Sequence, residues 1–182
     1  WVLDSACAQL SAWSERESSA ARSLAINVSA RQFLDPSFVE LVRSALERHT
    51  VNPQRLTLEL TESLLLQNVD ETISKMAALR ALGLRFSLDD FGTGYSSLSY
   101  LKRLPLDELK IDRSFVADVM TDANDAAIVR AILALAPKLG LSVIAEGVET
   151  RDQYRFLFEN GCHCFQGYLF GEPAAVADEG SG

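Results

Sequence analysis

Residues that cross-link or chelate are scarce in this chain, which has three cysteines and two histidines among 182 residues. An odd number of cysteines in a chain of this length argues against a disulfide framework. Cys7, Cys162 and Cys164 are therefore expected to be reduced thiols in a cytosolic compartment. The Cys-His-Cys run at 162–164 has no second cluster that would complete a zinc tetrahedron, so a zinc site is not expected.

Long apolar runs and an excess of basic residues are also missing. Even the apolar run at 126–136 contains Arg130, whereas a membrane-spanning helix needs about 18 uninterrupted apolar residues. The first ten residues lack the basic start and the cleavage site of a signal peptide. With 25 acidic and 17 basic residues the net charge is −8, which disfavours binding along a nucleic-acid backbone. We expect neither direct membrane contact nor a nucleic-acid polymer as partner, whereas a small phosphate-bearing substrate is compatible if cations mediate the contact.

The composition, 48% apolar and 23% charged, is typical of a globular domain. Strand-like and helix-like segments alternate along it. The predicted strands lie at 24–28, 56–60, 85–88, 108–111, 141–145 and 164–166. The predicted helices lie at 1–13, 35–46, 70–82, 95–103, 124–136 and 150–160. Strict alternation with short connections predicts a parallel sheet covered by helices.

Polar residues stand at the carboxyl end of nearly every predicted strand. They are Asn27, Glu59, Glu62, Asp89, Asp90, Asp112, Glu146, Glu149 and Gln166. An open doubly wound sheet concentrates its site at one switch point, whereas a (β/α)8 barrel collects residues from the ends of many strands. We therefore predict an α/β fold, a TIM-like (β/α)8 barrel that is N-terminally incomplete in this chain, with about six βα units. The domain is expected to span residues 1–173, with 174–182 a flexible tail or a cloning remnant.

Seven of these residues are carboxylates, and seven carboxylates at one barrel mouth repel each other unless cations lie among them. His49 and His163 fall away from the strand ends, so the ligands would be oxygens, which select Mg²⁺ or Mn²⁺ over Zn²⁺. So many oxygens favour two ions, an arrangement typical of phosphodiester cleavage. Lys110, two residues before Asp112 on the same strand face, could orient the attacking water.

Each of these residues also has an ordinary structural explanation, because a single acid at a strand end is more often a turn or helix cap. Glu62 could cap the following helix, and Asn27 could satisfy backbone groups at a turn. Asp112 could pair with Arg113 or Lys110. The recurrence of such residues at the same end of successive strands nevertheless favours a functional site.

Seven segments carry a specific resemblance. They are Asn-Val-Ser-Ala-Arg-Gln-Phe (27–33), Leu-Glu-Leu-Thr-Glu-Ser (58–63), Leu-Asp-Asp-Phe-Gly-Thr-Gly-Tyr-Ser-Ser-Leu (88–98), Leu-Lys-Arg-Leu-Pro (101–105), Leu-Lys-Ile-Asp (109–112), Ile-Ala-Glu-Gly-Val-Glu (144–149) and Gln-Gly-Tyr-Leu-Phe-Gly (166–171). Together they resemble the EAL domain, the bacterial family that hydrolyses cyclic di-GMP. The Glu-Ala-Leu motif that names the family, whose glutamate would be a further metal ligand, is expected upstream of this sequence.

The resemblance implies roles for the residues at the strand ends. The metal ligands would be Asn27, Glu59, Asp89 and Glu146, with Asp90 reaching the second of two Mg²⁺ or Mn²⁺ ions. Lys110 would position the attacking water. Glu149 and Gln166 would complete the pocket, and Arg31 would contact the substrate. Glu62 would hold the loop at 90–98, which in this family couples metal binding to dimerisation.

The implied reaction opens one phosphodiester of cyclic di-GMP to give linear pGpG, in the bacterial cytoplasm. The domain would form homodimers and could belong to a larger membrane-anchored sensor. A non-catalytic cyclic di-GMP receptor is the alternative, but it would be expected to lack metal ligands or the water-orienting lysine. This sequence keeps Asn27, Glu59, Asp89, Asp90, Lys110 and Glu146. A barrel enzyme acting on another phosphoester fits the acids alone and leaves Gln166 unexplained. Asp112 is a further candidate site residue.

Overall fold

The alternation in the sequence produces alternating strands and helices in the structure. A computed structural model describes residues 1–16, 19–65, 69–92 and 101–174. The strands are β1 (Leu24–Asn27), β2 (Leu56–Thr61), β3 (Arg85–Phe91), β4 (Glu108–Ile111), β5 (Ser142–Ala145) and β6 (Cys164–Phe165). The α-helices in these ranges are α1 (Val2–Ser14), α2 (Ala30–Leu34), α3 (Phe38–Arg48), α4 (Glu62–Leu65), α5 (Val69–Ala81), α6 (Arg113–Ala117), α7 (Ala123–Leu135) and α8 (Arg151–Glu159).

The six strands form one sheet in sequential order, β1-β2-β3-β4-β5-β6, and every neighbouring pair is parallel. A doubly wound sheet would reverse its order at a switch point, whereas a barrel adds each strand to the same side of the previous one. The predicted barrel-type fold, with six strands of a (β/α)8 barrel, is confirmed. No helix in the described part of the chain is long and apolar enough to cross a membrane.

The two faces of the sheet differ sharply in chemistry because successive residues of a strand point to opposite faces. One face is buried in the hydrophobic core and carries Leu56, Leu58, Leu60, Phe86, Leu88, Leu109, Ile111, Val143 and Ala145. The other face, here called the polar face, carries in register across β1 to β5 the residues Asn27, Glu59, Ser87, Glu108 and Ser142. Asn27 and Glu59 therefore lie on the face that the core does not use.

Helix boundaries follow local capping signals. Thr150 precedes α8, and its hydroxyl accepts a hydrogen bond from the backbone N–H of Gln153 at 3.2 Å. The Gln153 side chain accepts the N–H of Thr150 at 2.9 Å and also donates to the carbonyl of Ala117 at 3.2 Å. This capping box stabilises the helix start, and its contact with α6 fixes α8 beside the segment that begins at Asp112.

Three short helices were not predicted, because α2, α4 and α6 have only four or five residues each and show no helical period. The predicted helix at 95–103 lies outside the described residues up to position 100. Helix α7 ends at Leu135, and a 3₁₀ turn, Ala136–Leu139, follows it. Pro137 lies in this turn, which agrees with the expectation that the proline ends or kinks the helix.

Candidate active site

A β-bulge aims two carboxylates at the carboxyl end of the sheet. Strand β3 pairs with β4 at Leu88–Leu109 and again at Phe91–Ile111, so two residues of β3 face one residue of β4. The two are Asp89 and Asp90. Asp90 has a φ of +56°, in the left-handed region that few residues other than glycine adopt. Such bulges recur beside active sites, where they redirect side chains.

Lys110 is the residue that the bulge faces, and its ammonium group is the centre of the site. The Nζ atom lies 2.9 Å from Glu59 Oε2, 3.3 Å from Asp89 Oδ1 and 2.6 Å from Glu146 Oε1. Three successive strands, β2, β3 and β4, supply Glu59, Asp89 and Lys110, and Glu146 directly follows β5. We call these four residues the Lys110 cluster. Lys110 is 4% exposed and Glu59 is 9% exposed, so the centre of the cluster is buried, whereas Asp89 and Glu146 are partly exposed.

The protonation of the cluster follows from burial and close charges. Burial lowers the pKa of Lys110, but the hydrogen bonds and charges of Glu146 and Glu59 outweigh it and raise the pKa above its usual range. Burial raises the pKa of Glu146 despite the opposing effect of Lys110. Burial also raises the pKa of Asp90, and the charge of Asp89 adds to this effect. The ammonium group of Lys110 is thus charged, and it is shared by the three carboxylates of Glu59, Asp89 and Glu146.

Asp112 follows β4 and contacts both the next helix and a residue of the bulge. It caps α6 by accepting the N–H of Ser114 at 2.9 Å, and it also accepts the hydroxyl of Ser114. Its carboxyl group is hydrogen-bonded to that of Asp90. Burial raises the pKa of Asp112, but the hydrogen bonds from Ser114 outweigh it and lower the pKa overall.

The remaining predicted residues are Asn27, Arg31, Glu149 and Gln166. Asn27 ends β1, in register with Glu59. Arg31 is exposed on α2, and Glu149 and Gln166 are exposed after β5 and β6. Within the described ranges, no hydrogen bond or ion pair joins the side chains of these four residues to the Lys110 cluster.

Glu62 is the first residue of α4 and is 6% exposed. Within the described ranges neither of its carboxylate oxygens has a hydrogen-bond partner, which is a costly arrangement for a buried charge. The loop that Glu62 was predicted to hold, 90–98, lies outside the described residues from position 93 onward. The prediction for Glu62 therefore stays a prediction.

The donors gathered here are oxygens of carboxylates and, at Asn27, of an amide, the chemistry that hard divalent cations prefer. In the described part of the chain, no group of three or more histidine, cysteine, aspartate or glutamate side chains is spaced to hold a metal ion. The carboxylates of Glu59, Asp89 and Glu146 instead form ion pairs with the Lys110 ammonium.

Sequence reasoning missed the bulge and the ion pairs across strands. The sequence shows two adjacent aspartates, 89 and 90, at a strand end. The alternation of apolar residues does not predict that both lie opposite Lys110. The spacing from Lys110 to Asp112 placed the lysine on the correct face. It did not predict the ion pair with Glu59, which lies on β2, two strands away from Lys110 on β4.

Known proteins resemble this chain in sequence and in structure. The sequence profile of the EAL domain matches residues 1–173. The bifunctional diguanylate cyclase/cyclic di-GMP phosphodiesterase MucR of Pseudomonas aeruginosa is 49% identical over 173 residues, 95% of this chain and 25% of that protein. The chain spans between a fifth and a quarter of the length of the first curated relatives that it matches.

Two solved structures superpose closely on the chain. The PaMucR phosphodiesterase in complex with c-di-GMP matches with a TM-score of 0.91 and 49% identity, over 95% of this chain and 70% of that one. Klebsiella pneumoniae BlrP1 in a manganese/cy-diGMP complex matches with a TM-score of 0.82 and 31% identity, over 94% of this chain and 44% of that one.

Proposed function

This chain belongs to the EAL domain family, and we propose that it hydrolyses cyclic di-GMP to linear pGpG in a reaction that requires divalent cations. The observation that carries the proposal is the buried Lys110 cluster, which brings one ammonium group and three carboxylates together at the carboxyl ends of successive strands. The named activity of MucR and the c-di-GMP and manganese complexes of the structural relatives support the substrate and the metal dependence.

The residues present fit divalent cations. The excess of carboxylates over the single ammonium of Lys110 leaves negative charge uncompensated, and all donors are oxygens. Two Mg²⁺ or Mn²⁺ ions would be held by Asn27, Glu59, Asp89, Asp90 and Glu146. Bound cations of this kind polarise the phosphoryl group and lower the pKa of the attacking water.

The protein's own groups would align the reaction. The Lys110 ammonium would orient the attacking water by a hydrogen bond, and Asp89 and Glu146, which contact the same ammonium, would help to orient that water and accept its proton. The water oxygen bonds to phosphorus, and the bond from phosphorus to the ribose O3′ breaks. O3′ leaves with a proton, so one water is consumed and the ring opens to a linear dinucleotide with a 5′-phosphate.

The polar residues around the cluster would bind the rest of the substrate. Arg31, which is exposed, would contact it, and Glu149 and Gln166 would complete the pocket. An anionic dinucleotide is repelled by a site of this charge in a chain of net charge −8. Cations would therefore be needed for tight substrate binding as well as for the chemistry. We further propose that Glu62 holds the loop at 90–98 and that the domain acts as a homodimer.

Removal of metal is the direct test of this function. The chain should convert cyclic di-GMP to linear pGpG with Mn²⁺ or Mg²⁺, and excess EDTA should reduce the rate at least a hundredfold because the cations supply the main electrostatic stabilisation. Product is separated by anion-exchange chromatography, and restoring Mn²⁺ after chelation is the control. Product formed at the full rate in EDTA would contradict the proposal. Binding of cyclic di-GMP with no product in Mn²⁺ would identify a receptor instead.

A further inference from the structure

The ion pair between Glu59 and Lys110 crosses a strand that lies between them. Glu59 is on β2 and Lys110 is on β4, and β3 separates these strands in the sheet. Neighbouring strands lie about 4.8 Å apart, so the two side chains bridge roughly 10 Å to reach their 2.9 Å contact. The bridge therefore passes over the polar face of β3.

Ser87 is the residue of β3 that lies in register with Glu59 on one side and Glu108 on the other. Registered neighbours share a face of the sheet, so the Ser87 side chain is on the polar face, beneath the bridge. Asp89, two residues later on the same face, is the next contact of the Lys110 ammonium. Ser87 thus lies on the same sheet face as Glu59 and Asp89 and is the registered neighbour of Glu59.

The hydroxyl of Ser87 is an exception to the usual pairing of buried polar groups. The side chain is 0% exposed, and its Oγ has no hydrogen-bond partner. A buried hydroxyl without a partner destabilises a fold, and alanine would fill almost the same volume without that penalty. Among the described residues the hydroxyl thus has no structural partner, and its registered neighbours on this face are Glu59 and Glu108.

We propose that Ser87 is a positioning residue for Glu59, and this inference rests on the proposed metal-dependent function. When Glu59 turns from Lys110 to bind a cation, the Ser87 hydroxyl donates a hydrogen bond to its carboxylate, directly or through one water. Glu108 is less buried than Glu59 and can hydrogen-bond to solvent. A hydrogen bond from Ser87 therefore matters more for the carboxylate of Glu59. Hydrogen bonds of this kind orient ligand carboxylates and tune metal affinity.

The test separates this role from a structural one by measuring metal binding without substrate. Ser87→Ala should weaken Mn²⁺ binding, measured by isothermal titration calorimetry on the intact chain, by about tenfold. The same variant in EDTA should unfold in urea at the same midpoint as the wild type or at a higher one, because an unpaired buried hydroxyl has been removed. At saturating Mn²⁺ its kcat should be within threefold of the wild-type value.

Ser142→Ala is the matched control, since Ser142 lies in the same row of the polar face but its hydroxyl donates to the carbonyl of Asp107 at 3.2 Å. It should leave Mn²⁺ affinity unchanged. Equal Mn²⁺ affinity in wild type and Ser87→Ala overturns the role of Ser87 alone. A lower urea midpoint with unchanged Mn²⁺ affinity also overturns it, because the hydroxyl would then be structural. A wild-type chain that binds no Mn²⁺ overturns the proposed function itself.

Discussion

Lys110→Met should abolish hydrolysis of cyclic di-GMP and, in EDTA, destabilise the chain by about 3–5 kcal/mol. Methionine matches the length of the lysine stem but removes the ammonium group that contacts Glu59, Asp89 and Glu146. Closely spaced carboxylates that lose a cation they share must either stay charged and repel each other or take up protons. Both outcomes cost stability, which urea unfolding in EDTA measures.

Divalent cations should partly reverse this loss of stability. Mn²⁺ would replace the missing positive charge, so it should raise the urea midpoint of Lys110→Met more than that of the wild type. Turnover should not return, because the ammonium group that donates a hydrogen bond to the attacking water is missing. Lys102→Met is the control, since Lys102 is exposed and should tolerate the change in both assays. Wild-type turnover by Lys110→Met would contradict the role of the lysine, and unchanged stability in EDTA would contradict the account of the cluster.

Gly167→Ala should destabilise the chain by about 3 kcal/mol or more and reduce turnover with it. A Cβ at position 167 would lie 2.2 Å from the carbonyl oxygen of Val148 and 2.3 Å from its nitrogen. Because both atoms belong to the backbone, neither can rotate away. Relief of the clash must displace the paired segments, in which Val148 N–H donates to Gln166 O at 3.0 Å and Leu169 N–H donates to Val148 O at 3.0 Å.

Gly171→Ala is a closely matched control for this substitution. Gly167 and Gly171 have nearly the same φ, +156° and +155°, so both changes impose the same backbone preference. Only Gly167 has a backbone neighbour within reach of the new Cβ, since nothing lies within 4 Å of that position at Gly171. Urea unfolding should therefore show a much larger loss for Gly167→Ala. Equal losses for the two variants would mean that backbone conformation, and not the contact with Val148, determines the effect.

Most of the sheet was predictable from the sequence because its strands are short apolar or alternating segments between helical periods. The strand at 108–111 agrees with β4 to the residue. The strand predicted at 85–88 continues in β3 to Phe91, since the bulge keeps Asp89 and Asp90 in the ladder although neither is apolar. A bulge depends on pairing with another strand, so a reading of one segment alone does not reveal it.

The site was predictable in part, for a related reason. Parallel strands bring their carboxyl ends to one edge, so the convergence of Glu59, Asp89 and Glu146 followed from their positions at strand ends. Their shared contact with Lys110 did not follow, because it depends on side chains that reach across a strand. The roles predicted for Arg31 and Gln166 in substrate binding came from the family resemblance, and in the structure both side chains are exposed.

Manganese binding by the chain in the presence of cyclic di-GMP tests the central claim most directly. Free Mn²⁺ is followed by electron paramagnetic resonance as the ion is titrated into wild type and Asp89→Asn. The account predicts two bound ions per wild-type chain and at least a tenfold loss of affinity in Asp89→Asn, whose amide no longer carries the negative charge of a ligand carboxylate. Binding that is absent in the wild type, or unchanged in Asp89→Asn, would contradict the assignment of this cluster as a divalent metal centre.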